Sequence, residues 1–141
     1  MNFLLDTNVV SEWTKPRPDP QVVAWLAAVD EDRLLLSVIT LAELRNGVAS
    51  LPPSRRREQL DTWLSYELRD RFAGRLLPID AAIADQWGSI TAAAKAMGRT
   101  IHAMDALLAA SAFVHELTLV TRDQSDFEGV GIALFCPWSS N

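Results

Sequence analysis

Short, wholly apolar runs alternate along this chain with longer stretches whose apolar residues recur at helical spacing. Five runs read as strands: residues 2–6 (NFLLD), 34–38 (LLLSV), 75–79 (RLLPI), 117–121 (LTLVT) and 132–136 (IALFC). None alternates strictly between apolar and polar positions. Continuous apolar character is what a strand needs when both of its faces are covered, as in a parallel sheet. Asp6 stops the first run, Pro78 cuts the third and Pro137 ends the fifth.

Between these runs lie five helical patterns. Pro20 followed by QVVAWLAAV opens the first, with Asp19 as the expected N-cap and proline at the first helical position. TLAELRNGVAS (40–50) is the second. SRRREQLDTWLSYELRDRF (54–72) is the third, carrying Leu60, Trp63, Leu64 and Leu68 as an apolar stripe at i, i+3, i+4 spacing. DAAIADQWGSITAAAKAM (80–97), capped by Asp80, and AMDALLAASAFVHE (103–116) complete the set. Strands separated by helices predict right-handed crossovers and an α/β fold with a sandwiched parallel sheet. No repeat, low-complexity segment or long linker interrupts the chain. A single domain over 1–141 is expected, with the arginine-rich helical material at about 52–74 as an excursion from its core.

Composition narrows the class. With 141 residues, 49% hydrophobic and 22% charged, the chain has the material for an ordinary core without disulfides or structural metals. The lone Cys136 excludes an internal disulfide and a cysteine-rich metal site, and it favours a reducing compartment. Asp6 interrupts the N-terminal apolar run too early for a secretory signal. Apolar stretches such as ALLAASAFV fall short of the roughly 18 residues a membrane span needs. A cytoplasmic protein without membrane attachment is therefore expected. The net charge of −5, from 13 basic and 18 acidic residues, argues against a simple basic coat for nucleic acid. It leaves room for an enzyme that meets phosphates through metal ions.

In open α/β sheets, ligands bind beyond the carboxyl ends of the strands. Asp6 ends the first run; Thr40 and Glu43 follow the second; Thr121 and Asp123 close or follow the fourth, with Asp126 three positions on; Asp105 lies near the start of the helix leading to the fourth. Each has a structural explanation when taken alone. TLAE (40–43) fits a capping box, with Thr40 as N-cap and Glu43 reaching back to it. Asp105 suits the dipole at a helix start, and Asp123 and Asp126 suit a turn. Asp6 is harder to explain this way, because burying an unpaired charge is costly and Thr7 and Asn8 are also competent caps. The conjunction of four acidic segments is what points to chemistry. Carboxylate oxygens are hard ligands that suit Mg²⁺ or Mn²⁺, and one or two such ions would relieve the repulsion of clustered acids. His102 and His115 form no metal-binding pair; each reads as a residue at a helix end.

LLDTNVVSE, TLAELRNG, MDALLAASAFVHELTLVTRDQSDF and FCPW, taken in order, resemble the PIN-domain ribonucleases, specifically toxins of the VapC or FitB type. The resemblance runs nearly end to end. It implies a PIN-like α/β/α sandwich around a mainly parallel five-stranded sheet and Mg²⁺- or Mn²⁺-dependent hydrolysis of RNA with a 5′-phosphate product. It also implies a homodimer, and an antitoxin whose basic, aromatic tail enters a groove and pushes a basic side chain into the acidic site. By position, Asp6, Glu43 and Asp105 match three family acids, and Asp123 stands where related sequences often have Asn. Asp126, in the following Asp-Phe pair, is an accessory or substitute ligand. Thr121, Thr40 and Asn8 are supporting residues, with the Asn8 amide expected to orient Asp6. Cys136 departs from the usual Asn-Pro-Trp ending, and with no histidine nearby it is not a nucleophile.

Weaker signals surround this set. Arg55, Arg56 and Arg57 read as a solvated run, whereas Arg45 and Arg122 are placed to support the acids or meet phosphate. Trp63 belongs to the apolar stripe; Trp13 is the tryptophan favoured for a partner contact. One rival is a phosphoryl-transfer enzyme with Asp6 as nucleophile, but the haloacid-dehalogenase pattern needs Asp-x-Asp and this chain has Asp6-Thr7-Asn8. Another is an inactive PIN-like scaffold, against which the complete acidic set argues.

Overall fold

The computed structural model describes residues 1–138, so the expected domain limit at residue 141 lies outside the described residues. Five strands, β1 (Phe3–Leu5), β2 (Leu34–Ser37), β3 (Leu76–Leu77), β4 (Thr118–Val120) and β5 (Leu134–Phe135), pair in parallel in the order β3-β2-β1-β4-β5. The expected α/β architecture with a parallel five-stranded sheet is borne out. β1 is central, registered through Phe3 to Leu34 on one side and to Thr118 on the other.

The apolar runs work as two-faced strands. Leu4 and Leu119 point into one core cluster, while their neighbours Leu5 and Val120 point into the other. This alternation, with apolar residues at every position, is what a sheet between two helical layers requires. The first layer contains α1 (Thr7–Ser11), α2 (Pro20–Ala28) and α3 (Val38–Ala49), contributing Val9, Val10, Val22, Leu26, Leu44 and Val48. The second contains α6 (Ala81–Ala96) and α7 (Ala103–Val114). On α7, Ala106, Ala109, Ala110, Ser111 and Ala112 are buried, and their small side chains let this helix lie close to its neighbours.

Between α3 and β3 the chain forms α4 (Arg55–Thr62), a π turn (Trp63–Glu67) and α5 (Leu68–Arg71). This segment joins the first core instead of standing apart from it: Leu64, Leu68 and Phe72 are fully buried there. Their i+4 spacing would drift around a straight α-helix by about 40° per step. The wider π turn takes up part of that drift and keeps the stripe facing the sheet. Trp63 packs on this core as its place in the stripe implied. Trp13 does too: its ring lies 6.1 Å from that of Phe72 and 3.8 Å beneath the Arg71 guanidinium. Half-buried, the ring is held in place by these contacts within the chain.

Helix starts show where local chemistry decides. Asp19 accepts from the Gln21 and Val22 amides, and Asp80 from Ile83, as expected of both caps. The capping box at 40–43 is overturned. Helix α3 begins at Val38, and Ser37 caps it by accepting from the Ile39 amide at 3.0 Å. Thr40 is inside the helix and buried, its hydroxyl donating to the Leu5 carbonyl at 3.4 Å. The strand hands over to the helix without a loop, so the cap falls on the last strand residue. Ser37→Ala is expected to lower unfolding stability by about 1 kcal/mol in urea titration, with the urea dependence unchanged; no loss would remove Ser37 as the cap.

Candidate active site

The sheet order reverses at β1: the chain winds from β1 through β2 to β3 on one side, and β4 and β5 lie on the other. A crevice between the carboxyl ends of β1 and β4 follows from such a reversal, because successive crossovers leave in opposite directions. Asp6 and Thr121 are the residues that leave these two strands.

Asp6 is buried and caps α1. Its Oδ1 accepts from the Thr7 amide at 2.7 Å, and its Oδ2 accepts from the Thr121 hydroxyl at 2.7 Å. A structural cap and a site carboxylate are thus one residue. Burial raises the Asp6 pKa above the ordinary carboxylate range; the bonds from Thr121 and Thr7 oppose this, and the charges of Glu43 and Asp123 add to it. Glu43, on α3, turns toward Asp6, and its Oε1 accepts from the Thr7 hydroxyl at 2.9 Å. Thr7 was missed in the sequence, where Asp-Thr-Asn shows a cap but no distant partner.

Asp105 occupies the first turn of α7, which His102 caps by accepting from the Met104 amide. A helix N-terminus by itself favours the ionised carboxylate, yet the Asp105 pKa is pushed up to about 6. Burial is the main cause, followed by the charges of Asp6, Asp126 and Glu43, with His102 opposing. The surroundings therefore outweigh the helix end, and capping does not account for this residue.

Asp123 follows β4, and its side chain caps nothing in the short turn at Gln124–Phe127. Its amide donates to the Thr121 hydroxyl at 3.2 Å, and its Oδ2 accepts from the Asn8 amide at 3.3 Å. Asn8 also accepts from the Arg122 amide at 3.4 Å. Asn8 therefore ties α1 to the loop after β4; it orients Asp123 and not, as expected, Asp6. Asp126 is exposed within that turn, and its charge acts on Asp105.

The structure thus brings Asp6, Glu43, Asp105, Asp123 and Asp126 to one end of the sheet, with Thr121 and Asn8 between them and Thr40 behind the end of β1. Arg45 is not with them. It turns away to Asp61 at 2.6 Å and Ser65 at 2.8 Å on the α4 segment. Arg122 lies 5.5 Å from the Trp138 ring. Cavities flank the acids: one of about 220 Å³ runs from Thr7 and Glu43 past Gly47 to Leu60 and Trp63. Another, of about 180 Å³, lies between Asp126, Arg99 and the end of α6. Among the described residues, no helix is long and apolar enough to cross a membrane.

Known proteins share this arrangement. The PIN domain family pattern matches residues 3–132. Toxin FitB of Neisseria gonorrhoeae is 43% identical over 136 residues, covering 96% of this chain and 98% of that protein. VapC ribonuclease Y4jK of Sinorhizobium fredii is 41% identical over 136 residues, covering 96% and 97% respectively. The crystal structure of FitAcB from Neisseria gonorrhoeae superposes with a TM-score of 0.91 at 43% identity, covering 96% of this chain and 98% of that one. A family match over most of the chain, with these relatives aligned nearly end to end, establishes that this chain belongs to the PIN-domain family, among its FitB- and VapC-type toxins.

Proposed function

We propose that this chain is the toxin of a toxin–antitoxin pair and a divalent-metal-dependent ribonuclease that hydrolyses RNA phosphodiester bonds. The observation that carries this is the gathering of acids from four separate segments at the switch point of the sheet; the Asp105 pKa is raised first by burial and further by the charges of Asp6, Asp126 and Glu43. A fold gains nothing in stability from keeping like charges together, so their retention supports a functional use. Relatives named VapC ribonuclease and tRNA(fMet)-specific endonuclease VapC support the same activity.

Asp6, Glu43, Asp105 and Asp123 would hold Mg²⁺ or Mn²⁺, with Asp126 as an accessory ligand. Among the described residues, no three acidic, histidine or cysteine side chains are turned to enclose one ion. The fit lies in the donor chemistry: the cluster offers carboxylate oxygens and no thiolate, the set that hard cations prefer. Such an ion supplies Lewis-acid stabilisation of phosphate charge and an activated water. The protein's own part is positioning. Thr121 holds Asp6 and the backbone at Asp123, while Asn8 holds the Asp123 side chain. Thr40 acts from behind through the Leu5 carbonyl.

The partner proposed is a cognate antitoxin whose basic, aromatic tail complements this acidic site. The solved structures of FitAB bound to a DNA fragment and of DNA-bound VapBC from Salmonella typhimurium support such a pairing. A homodimer within a toxin–antitoxin hetero-oligomer belongs to the same proposal.

With Mn²⁺ and an RNA substrate, Asp6→Asn is expected to lose at least about 100-fold in cleavage rate, the upper range for disturbing a metal site. The asparagine still accepts from the Thr7 amide, so the fold is kept, as circular dichroism would show; full activity would sink the proposal. Asp123→Ala is expected to cost more activity than Asp126→Ala, and the reverse order would exchange their roles. The third outcome concerns pH. Asp105 holds its proton to about pH 6 in the folded chain, against about 4 when unfolded. The stability from that proton is complete below about pH 4 and is lost as pH rises past about 6. In chelator, Asp105→Asn should therefore gain in melting temperature relative to the parent between pH 4 and 7.5, by about 3 °C after allowing for its partial exposure. A constant difference would show that Asp105 is not so perturbed.

A further inference from the structure

We infer that Thr7 is a positioning residue that sets the spacing of the Asp6 and Glu43 carboxylates, and through it the affinity of the site for its cation. This rests on the metal-dependent reading above.

The geometry is specific to this side chain. Thr7 is the first residue of α1, where backbone amides lack partners within the helix. Its amide donates to Asp6 Oδ1 at 2.7 Å, and its hydroxyl donates to Glu43 Oε1 at 2.9 Å, across 36 positions of sequence. A threonine hydroxyl has one hydrogen, and here it is committed to Glu43. One residue thereby grips both carboxylates at once.

Glu43 needs that grip more than Asp6 does. Asp6 is buried, short and held on both oxygens, whereas Glu43 is half-buried with three rotatable bonds. Its like charge raises the pKa of Asp6, so electrostatics push the two carboxylates apart. The Thr7 hydroxyl acts against that push. It also leaves lone pairs on both carboxylates for a ligand, because each oxygen accepts in more than one direction. Thr7 and Glu43 share the wall of the 220 Å³ cavity, so this bond lies where a ligand would arrive.

Because Glu43 is accessible to water, losing the hydroxyl leaves no buried group unsatisfied. The consequence falls on position and not on folding. Thr7→Val removes the hydroxyl at nearly constant shape, and Thr7→Ser restores it. Mn²⁺ binding to the full-length chain, followed by calorimetry or by the electron paramagnetic resonance of free Mn²⁺, separates the possibilities. Thr7→Val should weaken Mn²⁺ binding about 10- to 100-fold, the range for groups that orient metal ligands. The metal-free melting temperature should stay within about 2 °C, a small surface-type effect. Thr7→Ser should recover most of the affinity. In a Glu43→Ala background, Thr7→Val should cost little more, since the residue it acts through is gone. Unchanged Mn²⁺ affinity in Thr7→Val, or an equal loss in both backgrounds, would overturn the inference while leaving the metal-dependent reading intact. A parent chain that binds no Mn²⁺ would overturn both.

Discussion

The arrangement depends on one constraint: a carboxylate placed at the end of the central strand has to find donors inside the protein. Asp6 is nearly inaccessible, and an unpartnered charge there would cost several kcal/mol. Its two oxygens take the Thr7 amide and the Thr121 hydroxyl. The first bond starts α1 immediately after β1. The second ties the end of β1 to the end of β4, reinforcing the backbone bond from the Asp6 amide to the Val120 carbonyl. Because Thr121 also accepts from the Asp123 amide, the loop carrying the next acid is set by the same contact. A stability requirement and a site geometry are satisfied by one small network.

The two-layer covering of the sheet supplies the rest. Leucines and valines alternate between the two faces of β1 and β4, and so anchor helices on both sides. The first layer directs Glu43 toward the switch point from α3. The second brings Asp105 there from α7, whose run of buried small residues permits close packing. The start of α7 does not compensate fully for the charge it carries inward. Asp105 stays protonated well above the usual range despite its favourable place in a first helical turn. Packing energy spread over many apolar contacts outweighs this local electrostatic cost, which is how a fold sustains a site that opposes its own stability.

Much of the frame was legible in the sequence because period and punctuation act locally. Apolar runs marked the strands, and Asp19, Asp80 and the proline at Pro20 marked helix starts from their own neighbours. The acids stood out because each followed a strand or opened a helix. Local rules misled where two explanations suited the same letters. Thr40 and Glu43 have the spacing of a capping box, but β2 passes directly into α3 and Ser37 takes the cap. Asn8 sits two residues from Asp6 yet serves Asp123, since the short helix turns its amide across to the loop after β4. Arg45 sits two residues from Glu43, which on a helix points it to a different side, toward Asp61.

By itself the sequence determined which elements form, which faces they bury and which acids stand at strand ends, because these follow from residue type and short-range spacing. Tertiary structure alone decided which donor serves which carboxylate. The strand order β3-β2-β1-β4-β5 places residue 121 beside residue 6, and helix packing places residue 43 against residue 7. Hydrogen bonds act over about 3 Å, and only the folded chain brings such distant positions within that range.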